Sequence, residues 1–154
     1  MAELYPIEDV LDKLAGFSGI QRVFLSTSGT LQTALSAYFG TAVKVKVVYQ
    51  TKRDDAPQYT RRVDMFIKLS ALTDLVVCRA NSEVYCSKPH YRAAIEKGEM
   101  GIGQIMAYYD LRPAFELISA EMRPDEREFS RTYWLKSDDL TYQITETFPL
   151  ELYP

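Results

Sequence analysis

In Ala42-Val43-Lys44-Val45-Lys46-Val47 the valines alternate with lysines, so one side of the segment is apolar and the other charged. A period of two is the mark of a half-buried strand. Alternating lysines also guard an outer strand against pairing with other chains. Downstream, Asp54, Asp55, Ala56 and Pro57 break this strand. Residues 61–69 and 72–84 then read as two further strands joined by a short turn around Ser70. Three strands in close succession predict an antiparallel meander.

Working outward, the pattern on the amino-terminal side is helical. Ile7, Val10, Leu11 and Leu14 share a face that ends near Gly16. A loop is expected next, with Ser26, Thr27, Ser28 and Gly29 as capping groups before a second helix. That helix carries Leu31, Ala34, Leu35, Tyr38 and Phe39 on one face and stops at Gly40. On the carboxyl-terminal side, Ser87-Lys88-Pro89 opens a helix over residues 90–97, ended by Gly98. A shorter helix is expected over 103–109. After Pro113, residues 114–122, 128–136 and 140–148 alternate apolar and polar side chains, with a tight turn at Asp138-Asp139. Hairpin-linked strands with helices set apart from them imply an α+β fold. The expected architecture is one antiparallel sheet of about six strands with helices on one face, in a single domain over residues 1–154.

Composition narrows the function. The chain has 154 residues, 47% of them hydrophobic, enough for one compact core and short for two domains. Eighteen Lys plus Arg against 21 Asp plus Glu leave a net charge of −3, which disfavours a nucleic-acid partner. The eleven tyrosines fit half-buried strand positions as well as they fit base stacking. Cys78 and Cys86 lie in or beside one predicted strand, unlike paired metal ligands, and read as free thiols in a reducing compartment. No run suits a signal peptide or a membrane span, so a cytoplasmic protein is expected.

Catalytic motifs are few. The single histidine, His90, begins a predicted helix with no Ser or Cys nucleophile motif and reads as a surface residue. There is no GxxxxGK[ST], GxGxxG or HExxH, and Gly101-Ile102-Gly103 is weak as a phosphate motif. What remains are charged residues inside apolar strands, where burial is costly unless a partner or ligand meets them. Arg61 shares a face with Val63, Met65 and Ile67, while Arg62, Asp64 and Lys68 take the opposite, solvated face. Glu146 shares a face with Ile144 and Phe148, and desolvation there is expected to raise its pKa. The plain alternative is an internal Arg61–Glu146 salt bridge.

From about Phe24 to Pro149 the order of segments resembles the chorismate lyase family. Leu25-Ser26-Thr27-Ser28-Gly29-Thr30-Leu31 is similar to the family's entry into a helix, and Arg61-Arg62-Val63-Asp64-Met65 to its arginine-bearing strand. Val77-Cys78-Arg79-Ala80 resembles the next strand, and Gly101-Ile102-Gly103 a small-residue turn before a helix. Ile144-Thr145-Glu146-Thr147-Phe148-Pro149 resembles the terminal Thr-Glu-x-Phe-x-Pro segment. The resemblance implies elimination of pyruvate from chorismate to leave 4-hydroxybenzoate, with no metal or redox cofactor. It makes Arg61 the carboxylate anchor, with Arg62 the other residue that aligns; the face argument favours Arg61. Leu31 and Ile102 become backbone donors to the same carboxylate, and Glu146 the group at the hydroxyl end. A second cation is expected for the enolpyruvyl carboxylate, with Arg79 and Arg131 as candidates. The expected pocket is dry, lined by residues such as Val63, Met65, Ile144 and Phe148, and slow to release product.

The same fold family includes effector-sensing domains of transcription regulators, which makes a non-catalytic aromatic-acid sensor or carrier the competing reading. Those regulators place a winged helix before the sensor. About two dozen residues precede the resembling region here, which favours a free-standing enzyme.

Overall fold

The computed structural model describes residues 7–53 and 58–154, so the break expected at Asp54, Asp55, Ala56 and Pro57 lies outside the described residues. Six strands form one sheet: β1 (Lys44–Lys52), β2 (Gln58–Lys68), β3 (Asp74–Cys86), β4 (Ala114–Arg123), β5 (Glu128–Lys136) and β6 (Leu140–Pro149). Their order is β1-β2-β3-β6-β5-β4, with every neighbouring pair antiparallel. The last strand in sequence therefore sits in the middle of the sheet, between β3 and β5. Lys44 and Lys46 do lie exposed on an edge strand.

Alternation decides what the sheet buries. Along β6, Leu140, Tyr142, Ile144, Glu146 and Phe148 are buried, while Thr141, Gln143, Thr145 and Thr147 face the other way. The buried side is covered by helices α1 (Ile7–Lys13), α2 (Gly19–Leu25), α3 (Leu31–Phe39), α4 (Pro89–Lys97) and α5 (Ile102–Tyr108). Leu25, Leu35, Ile95 and Ile105 from these helices join Val84, Leu117, Phe129 and Phe148 from the sheet in one core cluster. This is an α+β fold. Among the described residues no helix is long and apolar enough to cross a membrane.

Element boundaries follow the sequence reading within a few residues, with one exception: Gly19–Leu25 is a helix where a loop was expected. Seven residues are too few for a periodicity to declare itself. The start signal is a capping box in which Ser18 accepts from the Gln21 amide and the Gln21 side chain accepts from the Ser18 amide. The helix is held by the carboxyl-terminal segment. Gln21 Nε2 donates to the Tyr153 carbonyl at 2.9 Å, and the Tyr153 hydroxyl donates to the Val77 carbonyl at 2.7 Å. The Ser26–Gly29 segment, in contrast, does not cap α3; Thr30 holds the N-cap position without a side-chain bond.

Cys78 and Cys86 are both free, and both are buried in β3. A register shift between Met65 and Phe66 on β2 lets consecutive residues Val77 and Cys78 both turn inward. Burial pushes the Cys78 thiol well above its ordinary pKa, which makes it an inert packing group. His90 is exposed, as expected, and its ring lies against Tyr91 and Tyr109.

Phe148 stacks on Phe129 with ring centroids 5.0 Å apart, and Tyr153 meets both rings edge-on. Truncating such a ring leaves a cavity that rigid neighbours cannot fill. Phe148→Ala should lower the unfolding free energy by about 3–5 kcal/mol in a denaturant titration.

Candidate functional site

Between the sheet and the starts of α3 and α5 lies a cavity of about 270 Å³. Its floor is Val63 and Met65 of β2, Ala80 and Ser82 of β3, Tyr133 and Leu135 of β5, and Tyr142, Ile144 and Glu146 of β6. Its roof is formed by residues 29–33 and 101–104. The walls are mainly apolar, with polar groups gathered at two places. That is the usual form of a small-molecule site.

Arg61 is not itself a lining residue but stands beside one of these places. It is fully buried, and its register partner on β3 is the cavity-lining Ser82. Nη2 donates to the Met100 carbonyl at 2.7 Å, but Nε and Nη1 have no hydrogen-bond partner. Among the described residues no carboxylate pairs with it. Desolvation pushes its pKa down to about 10. A buried guanidinium with two idle donors is a costly arrangement, and a planar anion would satisfy it.

Glu146 defines the other place, where the expectation of an isolated, desolvated carboxyl gives way to a network. Arg131 of β5 faces Glu146 across the β5–β6 ladder and donates Nε–H to Oε1 at 2.6 Å. The Tyr133 hydroxyl donates to Oε2 at 2.9 Å. Arg131 spends its remaining donors on the chain between α2 and α3: the Leu25 carbonyl at 3.0 Å, the Thr27 carbonyl at 2.6 Å and Thr27 Oγ1 at 3.0 Å. Its guanidinium also lies 4.5 Å from the Tyr133 ring centroid. Burial, the largest single effect, would lower the Arg131 pKa, and the Glu146 charge and hydrogen bond together with Tyr133 and Cys78 outweigh it, so the net shift is upward. Burial and the same charge hold the Tyr133 phenol well above its ordinary range, so it remains a hydroxyl donor.

The roof supplies backbone donors. Leu31 and Ile102 are the first residues of α3 and α5 and both line the cavity. First-turn amides have no carbonyl of their own helix to meet. Two glutamines fix the spacing of these helix starts. Gln104 accepts from the Gly101 amide at 2.7 Å and donates to Gln32 at 3.3 Å, and Gln32 donates to the Val43 carbonyl at 2.9 Å.

The structure thus lines one cavity with Glu146, Leu31 and Ile102, sets Arg61 beside it next to Ser82, and separates other candidates from it. Arg79 lies on the opposite face of β3, its side chain 56% exposed and 3.8 Å from Asp64, which removes it as a second cation. Arg62 falls on that outer face as well, which leaves Arg61 as the inward residue. Arg131 is inside, yet each of its three guanidinium nitrogens already has an acceptor in the protein. Phe148 belongs to the aromatic core and does not line the cavity, whereas Val63, Met65 and Ile144 do. The supposed Arg61–Glu146 bridge is replaced by Arg131–Glu146. Sequence reasoning missed Tyr133, Tyr142, Ser82 and Thr27. The first three share the inward parity of their strands with Leu135, Ile144 and Val84, and that parity was the available signal.

Compared with protein-family models and with curated proteins, the chain matches none of either.

Two expectations follow from the geometry. Arg131→Met leaves Glu146 buried without its cation and should cost about 3–5 kcal/mol of stability in denaturant titrations, with much of it recovered in Arg131→Met/Glu146→Leu. Benzoate affinity, measured by calorimetry, should stay flat from neutral pH upward and fall as pH passes about 10, where free Arg61 loses its proton. Persistence of full affinity well above that pH would remove Arg61 from the anion's contacts.

Proposed function

We propose that the protein is a chorismate lyase, which eliminates pyruvate from chorismate and leaves 4-hydroxybenzoate. The observation that carries this reading is the unpaired buried Arg61 beside a cavity that has a hydrogen-bonded carboxylate, Glu146, elsewhere in its wall. A para-hydroxylated aromatic acid has the complementary form: an anion at one end, a hydroxyl donor at the other and a flat apolar ring between them.

In this reading Arg61 takes the ring carboxylate, with the Leu31 and Ile102 amides as further donors. Each oxygen of Glu146 keeps a lone pair free of Arg131 and Tyr133, so the carboxylate accepts from the ring hydroxyl. Held at both ends, the ring presents its ether carbon in one fixed orientation. The reaction breaks the bond from that carbon to the enolpyruvyl oxygen and removes a proton from the neighbouring ring carbon. The ring becomes aromatic, and the released enolate takes up that proton at its methylene carbon to become pyruvate. The negative field of Glu146 favours loss of the ring proton, and the apolar walls exclude water. A product enclosed in this way leaves slowly, so 4-hydroxybenzoate is expected to inhibit.

The test follows pyruvate and 4-hydroxybenzoate together from chorismate. Equal amounts of both should appear, with kcat/KM lowered by about a hundredfold or more in Arg61→Ala and Glu146→Gln, the order of magnitude for removing one oriented charged contact. Tight binding of 4-hydroxybenzoate with no pyruvate released would replace the lyase by the sensor or carrier reading.

A further inference from the structure

Arg61 is not the sole uncommitted polar group on its side of the cavity. Tyr142 of β6 is 1% exposed and Ser82 of β3 is 8% exposed, and both line the cavity. Neither hydroxyl has a hydrogen-bond partner among the described residues. The other phenols deep in this region are committed: Tyr133 to Glu146, Tyr59 to Glu96 and Tyr153 to the Val77 carbonyl. A hydroxyl that lines a cavity without a protein partner is open to a ligand.

Position shows what that would be. Ser82 is the register partner of Arg61 on β3, and Ser82 pairs in turn with Ile144 on β6, two residues from Tyr142 on the same face. Tyr142 pairs with Val84, one inward row along from the Arg61–Ser82–Ile144 row. The groups here that can donate are Nε–H and Nη1–H of Arg61, which have no acceptor, and the two cavity-lining hydroxyls. They suit an acceptor with several lone pairs, and a carboxylate has about four.

We infer that the Tyr142 and Ser82 hydroxyls complete, with Arg61, the seat of the ligand's ring carboxylate and set the site's preference for a carboxylate over a neutral substituent. This rests on the aromatic-acid reading above and names the residues of β3 and β6 that share the anchor. Arg61 supplies charge, and the hydroxyls supply direction.

Calorimetric titration of 4-hydroxybenzoate and of 4-methylphenol separates the two ends of the ligand, because the second carries a methyl in place of the carboxylate. Tyr142→Phe should weaken 4-hydroxybenzoate by about tenfold, the usual order for a hydrogen bond to a charged group, and leave 4-methylphenol within about twofold. Ser82→Ala should act in the same direction. Unchanged 4-hydroxybenzoate affinity in both variants overturns the inference, and so does an equal loss for both ligands, which is the mark of a distorted pocket. If the unaltered protein binds 4-hydroxybenzoate and Arg61→Ala alone abolishes it, the inference falls and the aromatic-acid reading stands. If the unaltered protein binds neither ligand, both fall.

Discussion

The pair of Arg131 and Glu146 ties the site to the fold. It joins β5 to β6 across one ladder step, and through the Leu25 and Thr27 carbonyls it reaches the chain that leads into α3. Burying two charges carries a desolvation penalty that is offset only when geometry and secondary hydrogen bonds are good. Here the guanidinium meets one carboxylate, two carbonyls, one hydroxyl and an aromatic face. The result is a rigid corner. One face of it presents Glu146 to the cavity, and the other fixes where the first amides of α3 stand.

The two inward arginines make an instructive contrast. They sit on strands at similar depth, both buried, and every guanidinium nitrogen of Arg131 has an acceptor while two of Arg61's do not. Arg131 has carbonyls around it because an irregular segment between α2 and α3 passes over it. Above Arg61 the chain offers only the Met100 carbonyl before α5 begins. A helix start faces its surroundings with N–H groups, so it has nothing to give a cation. The same local backbone that leaves Arg61 short of acceptors supplies further donors for an anion.

Much of this was legible in residue parity and the rest was not, for physical reasons. The inward placement of Arg61, Val63, Met65, Ile144 and Glu146 follows from period-two alternation, which side-chain geometry enforces along any regular strand. The same rule applied to β3 would have sent Arg79 outward with Asn81 and Glu83, away from any cavity. What parity cannot supply is the neighbour across a ladder. That β6 pairs with both β3 and β5, and hence that Glu146 faces Arg131 and lies beyond reach of the Arg61 role once imagined for it, depends on sheet order. The bulge at Val77 and Cys78 and the short α2 were also hidden, since each is decided by contacts made far along the chain.

The position of β6 carries a kinetic meaning. β1, β2 and β3 form a hairpin series as they emerge in order, and β4 with β5 forms another, but neither half contacts the other through the sheet until β6 slots between them. During synthesis the first half must wait with the inward edge of β3 unpaired for more than fifty residues of further chain, the stretch between Cys86 and Leu140. Long-range closure of this kind is slow, and an unpaired strand edge invites association in the meantime. The inward charge of Arg61 on β2, one strand in from that edge, makes this apolar surface a poorer template for another strand until the native one arrives.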